Sequence, residues 1–276
     1  PPAPTAEAGR RARPAARPGR DVPVTLSAPP VRMPGSVFPV AVRRIVLDPG
    51  HGGGDLGTRT PTGLNEKELT LDLAQRVAAL LRGAGFDPVL TREDDRRLLL
   101  DERVRIANEA AADLFVSIHF NWFQDGRANR GIETFYLGPT DDPTVTALAS
   151  QENRESGYSL SDVRRLLDSI YADLRQEQSR ALAAEVQRQL LRSVREVAPE
   201  VRDRGVKSAP FLVLVTTQMP AILAEVACLS NREEAELLGR AEYRDRIARA
   251  LFDGIAAYSR VVAQAEPAAD RGREVR

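Results

Sequence analysis

Short apolar runs separated by helix-period stripes occupy residues 43–263, and this alternation narrows the fold more than any other feature of the chain. Arg43–Leu47, Asp87–Thr91, Leu114–His119, Gly131–Leu137, Phe211–Val215 and Ala221–Val226 each read as a strand. Between the first two, Leu69, Leu73, Val77, Leu80 and Leu81 recur on one helix face, which Gly83 and Gly85 bring to an end. Asn65 with Glu68 three residues on reads as a capping box for that helix. Asp101–Ala111 and about Ala241–Ala263 read as further helices. Strands alternating with helices predict an α/β fold: one twisted, mostly parallel or mixed sheet of about six strands flanked by helices.

The pattern changes between about Thr140 and Ala198, which is helical with no strand. Ser159–Asp162 reads as a cap, followed by Val163, Leu166, Leu167, Ile170, Tyr171 and Leu174 at helical spacing. Leu182, Val186, Leu190, Val194 and Val197 continue in a second helix, while Asp141–Gly157 is more polar and weakly helical. Residues 141–198 are therefore expected as an α-helical insert in a domain spanning 41–264. Residues 1–40 hold ten of the 19 prolines and six arginines, too little apolar surface to offset the entropy of ordering, so a disordered linker is expected there. Residues 265–276 are expected as a disordered tail.

Composition removes several function classes. Lys plus Arg and Asp plus Glu each number 39, so no net charge draws the chain to nucleic acid. No apolar run approaches the roughly 20 residues that a membrane-spanning helix needs. A single cysteine, Cys228, excludes an internal disulfide. The chain opens on Pro1 without an apolar signal core and so reads as a processed form or a fragment.

Only two histidines are present, and both stand at the carboxyl ends of apolar strands. His51 follows Ile45–Val46–Leu47–Asp48–Pro49–Gly50, and His119 ends Leu114–Ile118. Ligands bind at that edge of an open α/β sheet. Residues 52–57 spell a literal GxGxxG, yet the loop Thr58–Gly63 follows where a dinucleotide site needs a helix, so no nucleotide cofactor is expected. Two histidines at one sheet edge with a nearby carboxylate make a zinc site that keeps a position for water. Glu66, in the first turn of the helix after the glycine loop, is the natural carboxylate. Spacing leaves the plainer alternatives open: hydrogen-bonded core histidines, and a glutamate favoured by the helix dipole. Glu225 lies in the apolar run Pro220–Cys228, where a carboxylate must be paired or must act. A general base or a buried partner for an arginine both fit. Arg204 and Lys207 are candidates for orienting a polar or anionic substrate, with solvent-facing charges as the alternative, and Asn121 is a third substrate-binding candidate.

Seven blocks in order, LDPGHGGGDLGT, NEKELTLDLAQRVAALL, LTREDD, ERVRIAN, ADLFVSIHFN, GIETFYL and MPAILAEVACLSN, resemble the zinc-dependent N-acetylmuramoyl-L-alanine amidases over about residues 43–262. The resemblance implies one zinc ion held by His51, Glu66 and His119, with Glu225 as the catalytic glutamate. It implies hydrolysis of the amide between N-acetylmuramic acid and the L-alanine of the peptidoglycan stem by zinc-activated water. Phe120 and Trp122 beside SIH, and Ala227–Cys228 before LSN, depart from the family's usual small residue and Gly-Phe. The helical insert is similar to the regulatory segment of cell-division amidases. It implies autoinhibition by Glu152, with Glu155 as the alternative, relief by an activator protein, and a periplasmic location. A zinc carboxypeptidase and an inactive wall-binding protein are the competing readings.

Overall fold

The computed structural model describes residues 42–60, 63–123, 130–156 and 174–264, with 155, 156 and 174 described as backbone alone. The expected linker 1–40, the tail 265–276 and the helix expected to follow Ser159 lie outside the described residues. Six strands form one sheet: β1 Arg44–Pro49, β2 Asp87–Leu90, β3 Leu114–Asn121, β4 Ile132–Leu137, β5 Asp203–Ala209 and β6 Ala221–Cys228. Their order is β2-β1-β3-β6-β4-β5, and every neighbouring pair is parallel except β4 with β6. The expected mixed α/β sheet is thus present.

Seven α-helices flank the sheet among the described residues: α1 Glu66–Gly83, α2 Leu100–Glu109, α3 Pro143–Glu152, α4 Leu174–Val194, α5 Leu212–Val215, α6 Arg232–Leu238 and α7 Ala241–Gln264. The central strands β3 and β6 are buried along their whole length. That is why both read as near-continuous apolar runs rather than as alternation. Period-2 geometry splits β1 between two cores: Ile45 and Leu47 face one, and Val46 faces the other. The first core joins Leu73 and Val77 of α1, Leu182 and Val186 of α4, and Ile247 and Leu251 of α7. The second joins Val104 of α2, Val145 and Leu148 of α3, and Phe211 and Leu214 around α5. Each such side chain, fully buried, contributes about 1.5–3 kcal/mol relative to exposure. The described helices and strands therefore form three layers with the sheet in the middle.

Two expectations need correction. Phe211–Val215 is not a strand: Leu212–Val215 is a single helical turn behind Pro210. Five apolar residues are too few for periodicity to separate helix from strand. The sixth strand is instead Asp203–Ala209, a half-exposed edge strand whose polar sequence DRGVKSA hides it. The capping box at Asn65 also differs. Asn65 donates from its side chain to Glu68 Oε1 at 2.9 Å and makes no cap to the backbone. The glycine loop caps α1 instead, because Thr58 O and Leu56 O accept from Glu66 N and Lys67 N at 2.8 and 3.3 Å.

The β3–β6–β4 register sets up the site. His119 of β3 and Glu133 of β4 both pair with Glu225 of β6. Paired residues point to the same face of a sheet, so one rank of ionisable groups crosses three strands.

Candidate metal centre and active site

His51 leaves the tip of β1 with φ 61°, a left-handed conformation rare outside glycine. The fold holds it there with buried arginines. Arg103 of α2 donates to Pro49 O and His51 O, both at 2.7 Å, and to Asp48 Oδ1 at 2.8 Å. Burial pushes the Asp48 carboxyl up, but Arg103, Thr91 and Ser117 outweigh this and hold it below its usual range. Arg92, fully buried, donates to Pro49 O, Gly50 O and Lys67 O. Burial pushes its guanidinium down to about 10. These bonds satisfy carbonyls at the end of β1, in the loop after it and in the first turn of α1.

Two glycines clear the space around the ring nitrogens. A Cβ on Gly50 would overlap the His119 imidazole. One on Gly57 would fall 2.6 Å from His51 Cδ2 and 2.7 Å from Glu66 Oε2, and Gly57 also has φ +62°.

Four side chains converge at this point. His51 Nε2 lies 3.2 Å from Glu66 Oε1 and 3.6 Å from Glu152 Oε2. His119 Nδ1 lies 3.4 Å from the same Glu66 oxygen and 3.3 Å from the same Glu152 oxygen. Both ring nitrogens are buried and lack a hydrogen-bond partner among the described residues. Metal bonds of about 2.0–2.1 Å in a tetrahedron place neighbouring ligand atoms roughly 3.3 Å apart, which matches these separations. The set of two imidazole nitrogens and carboxylate oxygens is one that zinc accepts. His51, His119 and Glu152 can hold one ion together, and Glu66 stands equally close to both histidines.

The surroundings orient these ligands. Asp55 Oδ2 is 2.7 Å from His51 Nδ1, leaving Nε2 for the centre. Glu66 accepts from Phe120 N at 2.9 Å and Thr58 N at 2.8 Å. Burial pushes the Glu66 carboxyl up, yet His51 and His119 prevail and hold it well below the usual range. Burial pulls His51 down, but Glu66, Asp55 and Glu152 outweigh it and raise the imidazole well above its ordinary value. Glu152 is raised, by burial first and by Glu66 and Asp55 against the pull of the histidines. So many carboxylates around two imidazoles leave a deficit of positive charge that a divalent cation would fill.

Glu225 is 1% exposed, and its Oε2 has no partner among the described residues. Burial first, then Glu66, Glu152 and Glu133, push its carboxyl well above the usual range. Among the described residues no arginine pairs with it, which leaves the general-base reading the better supported of the two. A raised carboxyl beside a metal site suits proton transfer near neutral pH.

Arg204 and Lys207 do not face solvent freely. Both reach the buried Glu133, at 3.3 and 2.6 Å, and Arg204 also lies 4.2 Å from the centre of the Phe123 ring. Asn121 donates its amide to the same Glu133. Glu152, at the end of α3, is within reach of the histidines, whereas Glu155 lies outside what is described at side-chain level. Asn153 follows Glu152, donates to Pro210 O at 2.8 Å and accepts from Leu212 N at 2.9 Å. A cavity of about 220 Å³ opens beside the centre, lined by His51, His119, Glu152, Leu98, Leu100 and Phe211.

Sequence reasoning missed Asp55, Arg103 and Glu133. Asp55 was open to it: a lone acid four residues after His51 in a glycine-rich loop. Glu133 gave no signal, since GIETFYL looks like any half-buried strand.

A model of the N-acetylmuramoyl-L-alanine amidase family matches residues 45–257. The chain is 35% identical over 221 residues to the N-acetylmuramoyl-L-alanine amidase AmiA of Escherichia coli (strain K12), which covers 78% of this chain and 76% of that relative. The crystal structure of an N-acetylmuramoyl-L-alanine amidase from Clostridium difficile 630 is similar with a TM-score of 0.61 at 30% identity, over 79% of this chain and 97% of that one. The N-acetylmuramoyl-L-alanine amidase AmiC2 of Nostoc punctiforme gives 0.60 at 32% identity, over 78% and 96%.

Proposed function

This chain belongs to the N-acetylmuramoyl-L-alanine amidase family, and from that premise we propose that it cleaves the bond between N-acetylmuramic acid and the stem L-alanine with one zinc ion on His51, Glu66 and His119. The observation that carries the reading is the pair of buried, unpartnered ring nitrogens aimed at shared carboxylate oxygens, with Glu225 in register beside His119. Zinc, when bound, supplies Lewis acidity: it polarises the carbonyl and brings the pKa of a coordinated water from 15.7 to about 7. Glu225 takes the proton from the attacking water and delivers it to the leaving amine of L-alanine. Asp55 accepts from His51 Nδ1 and so directs Nε2 inward. Arg103 and Arg92 hold the loop that presents it.

In this reading Glu152 occupies the position that water and substrate need, so the described form is closed. α4 belongs to the main core, so the displaceable part is the segment before it, starting near residue 141. An activator protein that displaces α3 opens the site. The domain spans 41–264, flanked by a linker at 1–40 and a tail at 265–276. No described helix is long and apolar enough to cross a membrane. The substrate lies outside the cytoplasmic membrane, and we place the protein in the periplasm.

The test is digestion of purified peptidoglycan by the chain and by Glu152→Ala, each with and without chelator, read by mass spectrometry. Chelator-sensitive release of intact stems with a free L-alanine terminus is expected, and more of it from Glu152→Ala. Release of single terminal amino acids would point to a carboxypeptidase. Zinc-loaded, folded chain that binds the wall and releases nothing would point to a binding protein.

A further inference from the structure

Asn121 is fully buried at the end of β3, two residues past His119. Its side-chain N–H donates to Glu133 Oε1. A carboxylate can only accept, so this contact fixes which way the amide lies. The other half of the amide, Oδ1, is then turned away from Glu133, and it has no partner among the described residues. A buried acceptor left unpaired costs about 1–3 kcal/mol. Glu133 is itself held in place by Lys207 and Arg204. Those two are three apart on β5, a spacing that regular alternation would put on opposite faces. The register slips here, with Ile132 opposite Asp203 but Glu133 opposite Gly205, and Gly205 has φ +85°. The bulge re-aims Arg204 so that both cations meet one carboxylate. β4 lies on one side of β6, while β3 and β1, which carry the histidines, lie on the other.

Resting on the amidase reading above, we propose that Asn121 Oδ1 accepts a hydrogen bond from an amide N–H of the stem peptide, the one joining L-alanine to the second stem residue. Glu133, Lys207 and Arg204 are positioning residues that act through Asn121. The choice of amide follows from reach. The Asn121 backbone lies up to roughly 6.5 Å beyond His119, with a register slip between the two, and its side chain reaches part of the way back, to Glu133 in the His119 rank. The scissile N–H is bonded to the carbonyl that lies at the centre, too near to meet it. The next N–H lies about one residue, 3.3–3.6 Å, further along an extended stem. Such a contact selects a peptide-bearing muramic acid over one that ends at alanine. It also aligns the alanine nitrogen with Glu225.

The experiment uses the zinc-loaded Glu152→Ala chain as parent. The probes are muramoyl dipeptides whose second linkage is either the natural amide or an ester, the scissile amide being unchanged. The parent is expected to lose about tenfold in kcat/KM on the ester, the scale of one lost hydrogen bond. Asn121→Ala should cleave amide and ester equally well. Glu133→Gln, which lets the Asn121 amide turn over, should shrink the amide preference part of the way. A merely structural role for Asn121 lowers both substrates together and leaves their ratio as in the parent, and that result overturns the proposal. If Asn121→Ala does not fold, the parent's ratio and that of Glu133→Gln decide. A folded, zinc-loaded parent that cleaves neither probe overturns the amidase reading and this proposal with it. Cleavage of both with no preference in the parent overturns this proposal alone.

Discussion

Asp55 Oδ2 stands 2.7 Å from Nδ1 of His51, four residues away along the glycine loop. One carboxylate thereby decides which imidazole nitrogen faces the centre. Burial pushes the Asp55 carboxyl up, but His51 and the Gly57 N–H outweigh this and keep it below its usual range, so it stays an acceptor. Asp55→Asn replaces an acceptor by a group that can also donate, and the tautomer is no longer fixed. Zinc affinity should fall about 10–100-fold, the usual effect of losing such a partner. Competition with a chromophoric chelator measures it, and unchanged affinity would count against the role.

On the zinc-amidase reading, metal binding and proton transfer fall to different residues and can be tested apart. His51→Ala and His119→Ala should each lose zinc and wall hydrolysis together. Glu225→Ala should retain zinc, since its carboxyl is not among the converging ligand atoms, while turnover drops about 10²–10⁴-fold. Metal content by atomic emission alongside turnover checks both. A Glu225→Ala chain that remains active would sink the base assignment.

α3 is fastened as well as inserted. Glu152→Ala should raise basal hydrolysis without changing zinc content. Asn153→Ala removes the bridge to Pro210 and Leu212 and should raise it too, by loosening the helix end rather than by removing a ligand. Each such hydrogen bond contributes about 0.5–1.5 kcal/mol, so losing both sets the Asn153 effect at roughly 5- to 150-fold as an upper range. Basal activity unmoved by either variant would remove the closed-state reading.

Arg103 carries stability as well as geometry. Its side chain is 4% exposed and that of Asp48 1%. Arg103→Met leaves a buried carboxylate without its cation, which typically costs about 3–5 kcal/mol. Denaturant unfolding should show a lower midpoint with the slope retained. Asp48→Asn introduced together with Arg103→Met should recover part of the loss, because the stranded charge is then gone.

Cys228 is fully buried, and burial pushes its thiol up to about 11. At pH 8 a thiol of that pKa is about one part in a thousand thiolate, the reactive form. Native protein should therefore label very slowly with a thiol reagent at neutral pH, faster as the pH rises, and at the ordinary rate once unfolded. Rapid labelling of folded protein at pH 7 would contradict the burial.

The sequence was most readable where one physical demand acted alone. His51 and His119 could be placed because apolar runs end at them and glycines leave room beside them. Glu225 could be noticed because an acid in PAILAEVAC needs a reason. β5 could not, because an edge strand buries little and its residues answer to Glu133 rather than to a hydrophobic face. Phe211–Val215 misled for the opposite reason: packing alone shaped it, and a buried turn of helix and a buried strand use the same residues. Asn121 was named as a substrate-binding candidate, but Glu133 and its contact with Asn121 depend on a register set by β6, far away in the chain, which no local pattern encodes. The position of Glu152 is intermediate. The resemblance supplied it, and geometry then set it 3.3 Å from His119.

α3 runs from a start capped by Asp142 to an end at Glu152, ten residues in all. A helix of that length is a stiff rod of about 15 Å, so its two ends move as one body. A partner that grips the Asp142 end can withdraw Glu152 without ever approaching the catalytic mouth. On the closed-state reading, leverage of this kind would place the surface that answers to a controlling protein apart from the surface that answers to wall chemistry. Each can then change over evolutionary time without disturbing the other.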